Sequence, residues 1–394
     1  MALRYNQQYS LFLVSFLMSQ HPDCLIIGGG LIGMLTAREL ALAGLTVSVL
    51  ERGETGREST WAGGGILSPL YPWRYADAIS DLAQQSQLVY PDLANSLKEE
   101  TGIDVEWTKS GLLMPDCAEI DVAQKWARQY SVEINYIQGD ELATVAPSLS
   151  AELRQTDAIW LPHVAQVRNP RFAKALRKSI DKLGVKVITN TTVQEIGIKA
   201  GKVTGLRTQT GGHLSADRVV LAGGAWSAGL LENLGIELPV VPVRGQMLLY
   251  KAQPETVTRI ILNKDRYVIP RRDGRVLVGS TLEYMGFEKQ TTEEARTELE
   301  AEAQRIVPAL ADFPIETHWA GLRPGSPDGV PFIGACPAAD GLFLNTGHFR
   351  YGVLLGPASA AMLASIMLGT KFNLSSAAYQ PTQVSPESSL VAGC

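Results

Sequence analysis

Cys24-Leu25-Ile26-Ile27-Gly28-Gly29-Gly30-Leu31-Ile32-Gly33 sets an apolar run against glycines spaced Gly-x-Gly-x-x-Gly, and a helical pattern runs on from Leu31 to Ala43. The spacing predicts a strand, a tight turn and a helix. Gly28 permits the turn, Gly30 lets the backbone approach a pyrophosphate, and Gly33 lets the helix pack close on the sheet. The helix N-terminus adds N–H groups and a partial positive charge. Glycine-rich turns after strands are common, so the triplet alone is weak. Here a second strand, Thr46 to Leu50, follows and ends in Glu51. That acid lies about twenty residues on, where a ribose is held. It would accept hydrogen bonds from ribose hydroxyls and repel a 2′-phosphate, so FAD or NAD is favoured over NADP.

Outward from this stretch, 394 residues suffice for two or more cores. The chain is 19% charged with a net charge of −5, which gives no electrostatic footprint for nucleic acid. Small molecules are the expected partners. Cys24, Cys117, Cys336 and Cys394 lie far apart with no Cys-x-x-Cys, which argues against a zinc site or a disulfide framework and for a reducing, cytoplasmic setting. Leu11 to Met18 is an apolar run behind Arg4, too short to span a bilayer and without a small-residue cleavage site. Residues 1–17 therefore read as an extension before a natural start at Met18, with a membrane anchor as the alternative. Residues 373–394 read as a disordered tail, since Ser375 to Cys394 is rich in Ser, Pro and Gln without periodicity.

Further along, Trp61-Ala62-Gly63-Gly64-Gly65-Ile66-Leu67 is small enough to admit either close helix packing or a flat cofactor ring against the backbone. Helices are expected over Ile79 to Thr101, Glu119 to Tyr130 and Pro170 to Leu183, with a strand at Val105 to Met114. Ala158 to Leu161 and Val185 to Thr189 read as strands that restore the αβ alternation. Thr192 to Thr210 reads as a hairpin about Ala200-Gly201-Lys202. Asp217 to Ala225 is an apolar strand ending in Ala222-Gly223-Gly224, where the chain leaves the sheet with no side chain in the way of a nucleotide. Closely spaced strands follow from Val240 to Ser280, then an exposed helix from Thr291 to Val307. The expected fold is α/β: a Rossmann-like nucleotide-binding domain (18–80, 150–228 and 320–372) with a second, mainly antiparallel-sheet substrate domain (81–149 and 229–319). Gly347-His348-Phe349-Arg350-Tyr351-Gly352 opens a second helix, Val353 to Met367, whose N–H groups can receive the electron-rich end of a ring.

With these motifs in order, the chain resembles the flavoprotein amino acid oxidases of the D-amino acid oxidase superfamily over nearly its whole length after Pro22. The most specific pieces are the first glycine fingerprint, Trp319-Ala320-Gly321-Leu322-Arg323-Pro324-Gly325, the segment Gly347 to Gly352, and Tyr267-Val268-Ile269-Pro270-Arg271. By that resemblance Leu31, Ile32, Glu51, Arg52, Ser59, Thr60, Gly64, Gly65, Ile66, Val193, His348, Phe349, Arg350, Tyr351, Gly352, Val353 and Leu354 line FAD. Arg323 and Tyr267 would hold a substrate carboxylate, one as a bidentate guanidinium and the other as a neutral donor. Arg350 would face the substrate nitrogen through its carbonyl. A cysteine that bonds covalently to the flavin in the sarcosine oxidase branch is replaced here by Gly321, so the resemblance implies non-covalent FAD.

The implied activity is oxidative deamination of glycine or another small amino acid, such as sarcosine or a D-amino acid, to a 2-oxo acid, ammonia and hydrogen peroxide, with dioxygen as electron acceptor. A single nucleotide fingerprint fits a flavoprotein reduced by its own substrate rather than by NADPH. No triad or metal cluster stands out among His21, His163, His213, His318 and His348. Two alternatives stay open: a dehydrogenase of the same fold that passes electrons to a quinone or partner, and a flavin-binding subunit of a larger amine-oxidising complex. A homo-oligomer is also left open.

Overall fold

The strands Cys24–Ile27 and Val47–Leu50 are buried at every position, so they are continuous apolar runs, as parallel strands covered on both faces require. A computed structural model of the chain describes residues 21–232 and 234–381. The proposed extension, the start at Met18 and the end of the tail lie outside the described residues. Six strands form the first sheet in the order Phe332–Ala335, Leu342–Thr346, Val219–Leu221, Cys24–Ile27, Val47–Leu50, Lys186–Ile188. All neighbours are parallel except the first pair. Cys24 and Ile26 face a core with the helices Leu31–Leu42, Asn169–Lys182 and Gly352–Leu368. Leu25 and Ile27 face the other side, covered by the three-stranded sheet of Val193–Lys199, Lys202–Thr208 and His213–Leu214.

The second sheet has eight strands, in the order Ile315–Gly325, Val241–Tyr250, Val276–Gly279, Arg266–Pro270, Ile260–Asn263, Leu112–Pro115, Ala158–Leu161, Asn135–Ile137. It is antiparallel except where Leu112–Pro115 meets Ile260–Asn263. Three sequence expectations change here. Ala158–Leu161 pairs with Leu112–Pro115 and Asn135–Ile137 and so joins the second sheet instead of continuing the αβ alternation; a four-residue apolar run carries no mark of which sheet it enters. The strand Ile315–Gly325 runs along the whole of Val241–Tyr250, which keeps residues 320–325 in the second sheet. The helix Glu293–Ile306, expected to be exposed, buries Leu299, Ala303 and Ile306 against that sheet.

Residues 373–381, expected as the start of an unstructured tail, fold back on the first core. Tyr379 is 2% exposed and its hydroxyl donates to Ala78 O at 2.7 Å. One aromatic anchor outweighs the polar composition around it. Tyr379→Phe should cost about 1 kcal/mol, one hydrogen bond, and Tyr379→Ala about 3 kcal/mol or more through the cavity it leaves. Thermal unfolding of the three proteins should rank them in that order.

Candidate active site

The two sheets enclose a cavity of ≈ 640 Å³, within the range of small-molecule sites. Its nucleotide side is built by the first turn. Gly28 has φ +109°, and a Cβ there would stand 2.4 Å from Ala222 O; a Cβ on Gly33 would stand 1.9 Å from Gly28 O. Both approaches admit glycine alone. A Cβ on Gly30 would meet only Thr60 Oγ1, at 3.4 Å, because Gly30 faces the cavity. Leu31 N–H donates to Thr60 Oγ1 at 2.9 Å, and Ile32 N–H, also in the first turn, has no intrahelical acceptor. Glu51 takes Gly29 N–H on Oε2 at 2.7 Å and Gly53 N–H on Oε1 at 2.9 Å, which fixes its carboxylate in the wall. Arg52 lies over the Trp226 ring at 3.4 Å, Phe287 stacks on Trp226 at 5.6 Å between centroids, and Arg52 Nη2 pairs with Glu58 Oε1 at 2.8 Å.

Ser59, Gly64, Gly65, Ile66, Val193 and Gly223 also line the cavity, as do His348 to Val353, where the helix Gly352–Leu368 begins. Gly33 and Leu354 do not line the cavity: Gly33 serves the helix–strand approach and Leu354 is core. His348 is 1% exposed. Its Nε2 lies 2.8 Å from Ser359 Oγ; Ser359 Oγ–H donates to Asn345 Oδ1 at 2.5 Å, and Asn345 Nδ2 donates to Thr36 Oγ1 at 3.1 Å. Since the serine proton is committed to Asn345, Ser359 accepts from His348, which places the imidazole proton on Nε2. Burial pushes the His348 pKa down to about 3.

On the substrate side the strand Arg266–Pro270 presents Tyr267 and the strand Ile315–Gly325 presents Arg323. Arg323 Nη1 donates to Arg244 O at 3.3 Å and Thr281 O at 3.2 Å, and Nη2 to Ser280 Oγ at 2.7 Å. No carboxylate among the described residues pairs with it. Burial lowers its pKa, with the Tyr267 phenol and the Arg350 guanidinium close enough to act on its charge. Its Nη atoms make three hydrogen bonds to oxygens of the second sheet, the Tyr267 phenol lies against it as a further partner, and Nε, without a hydrogen bond among those described, stays open to a carboxylate. Sequence reasoning missed Gly245, Ser280, Met247 and Trp226 in the wall. Gly245 alone carried a signal, a glycine inside an alternating strand; a Cβ there would lie 2.1 Å from Arg323 Nη1. Among the described residues, no group of three or more His, Cys, Asp or Glu side chains could hold a metal ion, and no helix is long and apolar enough to cross a membrane.

A Rossmann cradle opening onto an antiparallel sheet with a guanidinium that has no ion-pair partner among the described residues is an arrangement suited to a nucleotide-dependent oxidoreductase. The chain belongs to the DAO family of FAD-dependent oxidoreductases, whose model matches residues 23–366. It is 48% identical over 357 residues to a glycine oxidase of Pseudomonas aeruginosa, covering 90% of this chain and 97% of that protein. A bifunctional protein ThiO/ThiG of Synechocystis is 34% identical over 371 residues, covering 92% of this chain and 54% of that protein. Among solved structures, a glycine oxidase from Geobacillus kaustophilus superposes with a TM-score of 0.88 at 28% identity, covering 93% of this chain and 100% of that one. FAD fits the residues present: the open position at Gly30, the unpaired N–H of Ile32 and the carboxylate of Glu51 suit a pyrophosphate and a ribose.

Gly30→Val should abolish flavin retention, because its branches would occupy the pyrophosphate's place; absorbance of the purified variant reads this directly. His348 is neutral when folded, so its contribution to stability is complete above about pH 6.5, the pKa of the unfolded chain, and is lost as pH falls toward 3. In that window the wild type should lose up to about 1.4 kcal/mol per pH unit more than His348→Gln, measured by denaturant unfolding.

Proposed function

We propose that the protein oxidises glycine or another small amino acid with FAD, releasing a 2-oxo acid, ammonia and hydrogen peroxide. The observation that carries this reading is Arg323, a partly buried cation that makes no ion pair among the described residues, in the same cavity as the nucleotide cradle. A substrate carboxylate supplies the missing counter-charge. Tyr267, 8% exposed, offers its hydroxyl from the same sheet, with two strands between its own and the strand of Arg323. Its oxygen lies against the Arg323 guanidinium and its proton meets only the weak acceptor Met247 Sδ, at 3.8 Å, among the described residues, so that proton is ready to go to the same carboxylate.

Bound FAD would supply the two-electron acceptor. Arg323 and Tyr267 orient the substrate so that its Cα–H faces that acceptor, and the Arg350 carbonyl faces the amine, which must be neutral to give up a hydride. Loss of the hydride from Cα and of a proton from nitrogen leaves an imine; water adds to it, giving the 2-oxo acid and ammonia. Dioxygen receives the two electrons and, with two protons, becomes hydrogen peroxide. The reaction needs orientation and exclusion of water more than an acid or base, and the buried, neutral His348 is consistent with that.

Two further parts of the reading concern state and setting. A Cβ on Gly321 would stand 2.4 Å from Ala62 Cβ, so a thioether-forming cysteine has no room there, and we take the flavin to be non-covalent. Cys24, Cys117 and Cys336 are free and buried, which suits a reducing cytoplasm.

Anaerobic addition of glycine, sarcosine or D-amino acids should bleach the flavin, and readmitted air should yield peroxide; bleaching without peroxide would identify a dehydrogenase instead. Acid or heat should release the flavin from the polypeptide. Arg323→Ala should lower kcat/KM for glycine roughly a hundredfold or more, about 3 kcal/mol, with FAD content unchanged. Arg323→Lys should recover part of this and Tyr267→Phe should cost about 1 kcal/mol. If ethylamine is oxidised as well as glycine, or Arg323→Ala keeps full activity, the carboxylate clamp is refuted.

A further inference from the structure

Arg271 follows Pro270, the last residue of the strand that carries Tyr267, and is 8% exposed. Its guanidinium meets no carboxylate. Nη1 donates to Gln166 Oε1 at 2.6 Å and to Val167 O at 3.0 Å, Nη2 donates to Gly64 O at 2.8 Å, and Nε has no acceptor. The nearby acids Glu106 and Asp273 are engaged by Arg168, at 3.3 and 2.8 Å. Burial lowers its pKa to about 10, which still leaves it charged at neutral pH. A buried cation held by neutral oxygens alone costs stability that hydrophobic packing would not.

The carbonyl that Arg271 grips belongs to the Gly64–Gly65 peptide, in the cavity wall. The hydrogen of that same peptide is on Gly65, whose N–H meets no acceptor among the described residues. A cation donating to one end of an amide polarises it and strengthens the N–H at the other end. The peptide is also fixed in place: a Cβ on Gly64 would lie 2.8 Å from Ile269 Cδ1 and 3.3 Å from Tyr267 Cε2. We propose that Arg271 is a positioning residue for the flavin, holding the Gly64–Gly65 peptide by its carbonyl and sharpening the Gly65 N–H as a donor that favours the electron-rich, reduced ring. This rests on the FAD reading above.

The test is the reduction potential of the FAD-loaded protein, with flavin affinity as a second readout, in wild type, Arg271→Met, Arg271→Lys and Gln166→Glu. Removing the cation should make reduction harder by about tenfold in the two-electron equilibrium, a shift of about −30 mV in Arg271→Met, with weaker FAD retention. Arg271→Lys, which keeps the charge and loses the fork, should recover part of the shift. Gln166→Glu leaves Arg271 in place but sets a carboxylate against it, and should shift the potential in the same direction as Arg271→Met. An unchanged potential in flavin-bound Arg271→Met overturns the proposal. If that variant does not fold, an unchanged potential in Gln166→Glu does so. A wild type that takes up no FAD overturns the functional reading and this inference together; unchanged variants of a flavin-bound, glycine-oxidising wild type overturn this inference alone.

Discussion

Gly28 turns against Ala222 at φ +109°, and Gly33 in turn presses on the Gly28 carbonyl more closely than any side chain would allow. The turn from the first strand into its helix is thereby held at one point with a segment distant in the chain, the exit of Val219–Leu221. The helix axis is fixed relative to the sheet, so its first turn opens onto the cavity instead of the solvent. Thr60 and Glu51 reach that turn only because it stands where it does. The buried chain from His348 through Ser359 and Asn345 to Thr36 then ties this helix to Gly352–Leu368, the two helices whose starts line the cavity.

The second sheet solves a different problem, keeping a cation charged in a partly dry place. Arg323 is supported by carbonyl and hydroxyl oxygens rather than by an acid, which leaves its charge unspent. The acid that could have neutralised it, Glu283, is occupied by Arg244, Gln246 and Thr281. Arg244 and Glu283 also exchange backbone hydrogen bonds at 2.9 and 3.0 Å, which holds the turn that supplies Ser280 and Thr281 to Arg323. An ion pair beside the site therefore stabilises the geometry of a neighbouring arginine that remains free for a ligand.

What was legible in the sequence follows from which constraints leave a residue-level mark. Close approach demands glycine at Gly28, Gly33, Gly64 and Gly65, and open cavity suits it at Gly30, so these positions could be read directly, and with them the cradle. Strand partnership leaves no such mark: Ala158–Leu161 has the same apolar pattern in either sheet. Ser280 and Trp226 enter the wall through tertiary placement, and nothing in their neighbours along the chain announces it. Gly245 was readable in principle, since its missing side chain is the space that Arg323 fills. The segment around Tyr379 looked like tail because composition averages over a single aromatic residue that has a pocket to enter.

Trp226 is the one tryptophan in the cavity wall among the described residues, with the Arg52 guanidinium over its ring and the Phe287 ring stacked on it. An indole so placed is an emitter standing beside the space where an absorbing chromophore would lie. Excitation transferred from that ring would dim its fluorescence as the cavity fills. The fold thus contains an intrinsic optical gauge of occupancy.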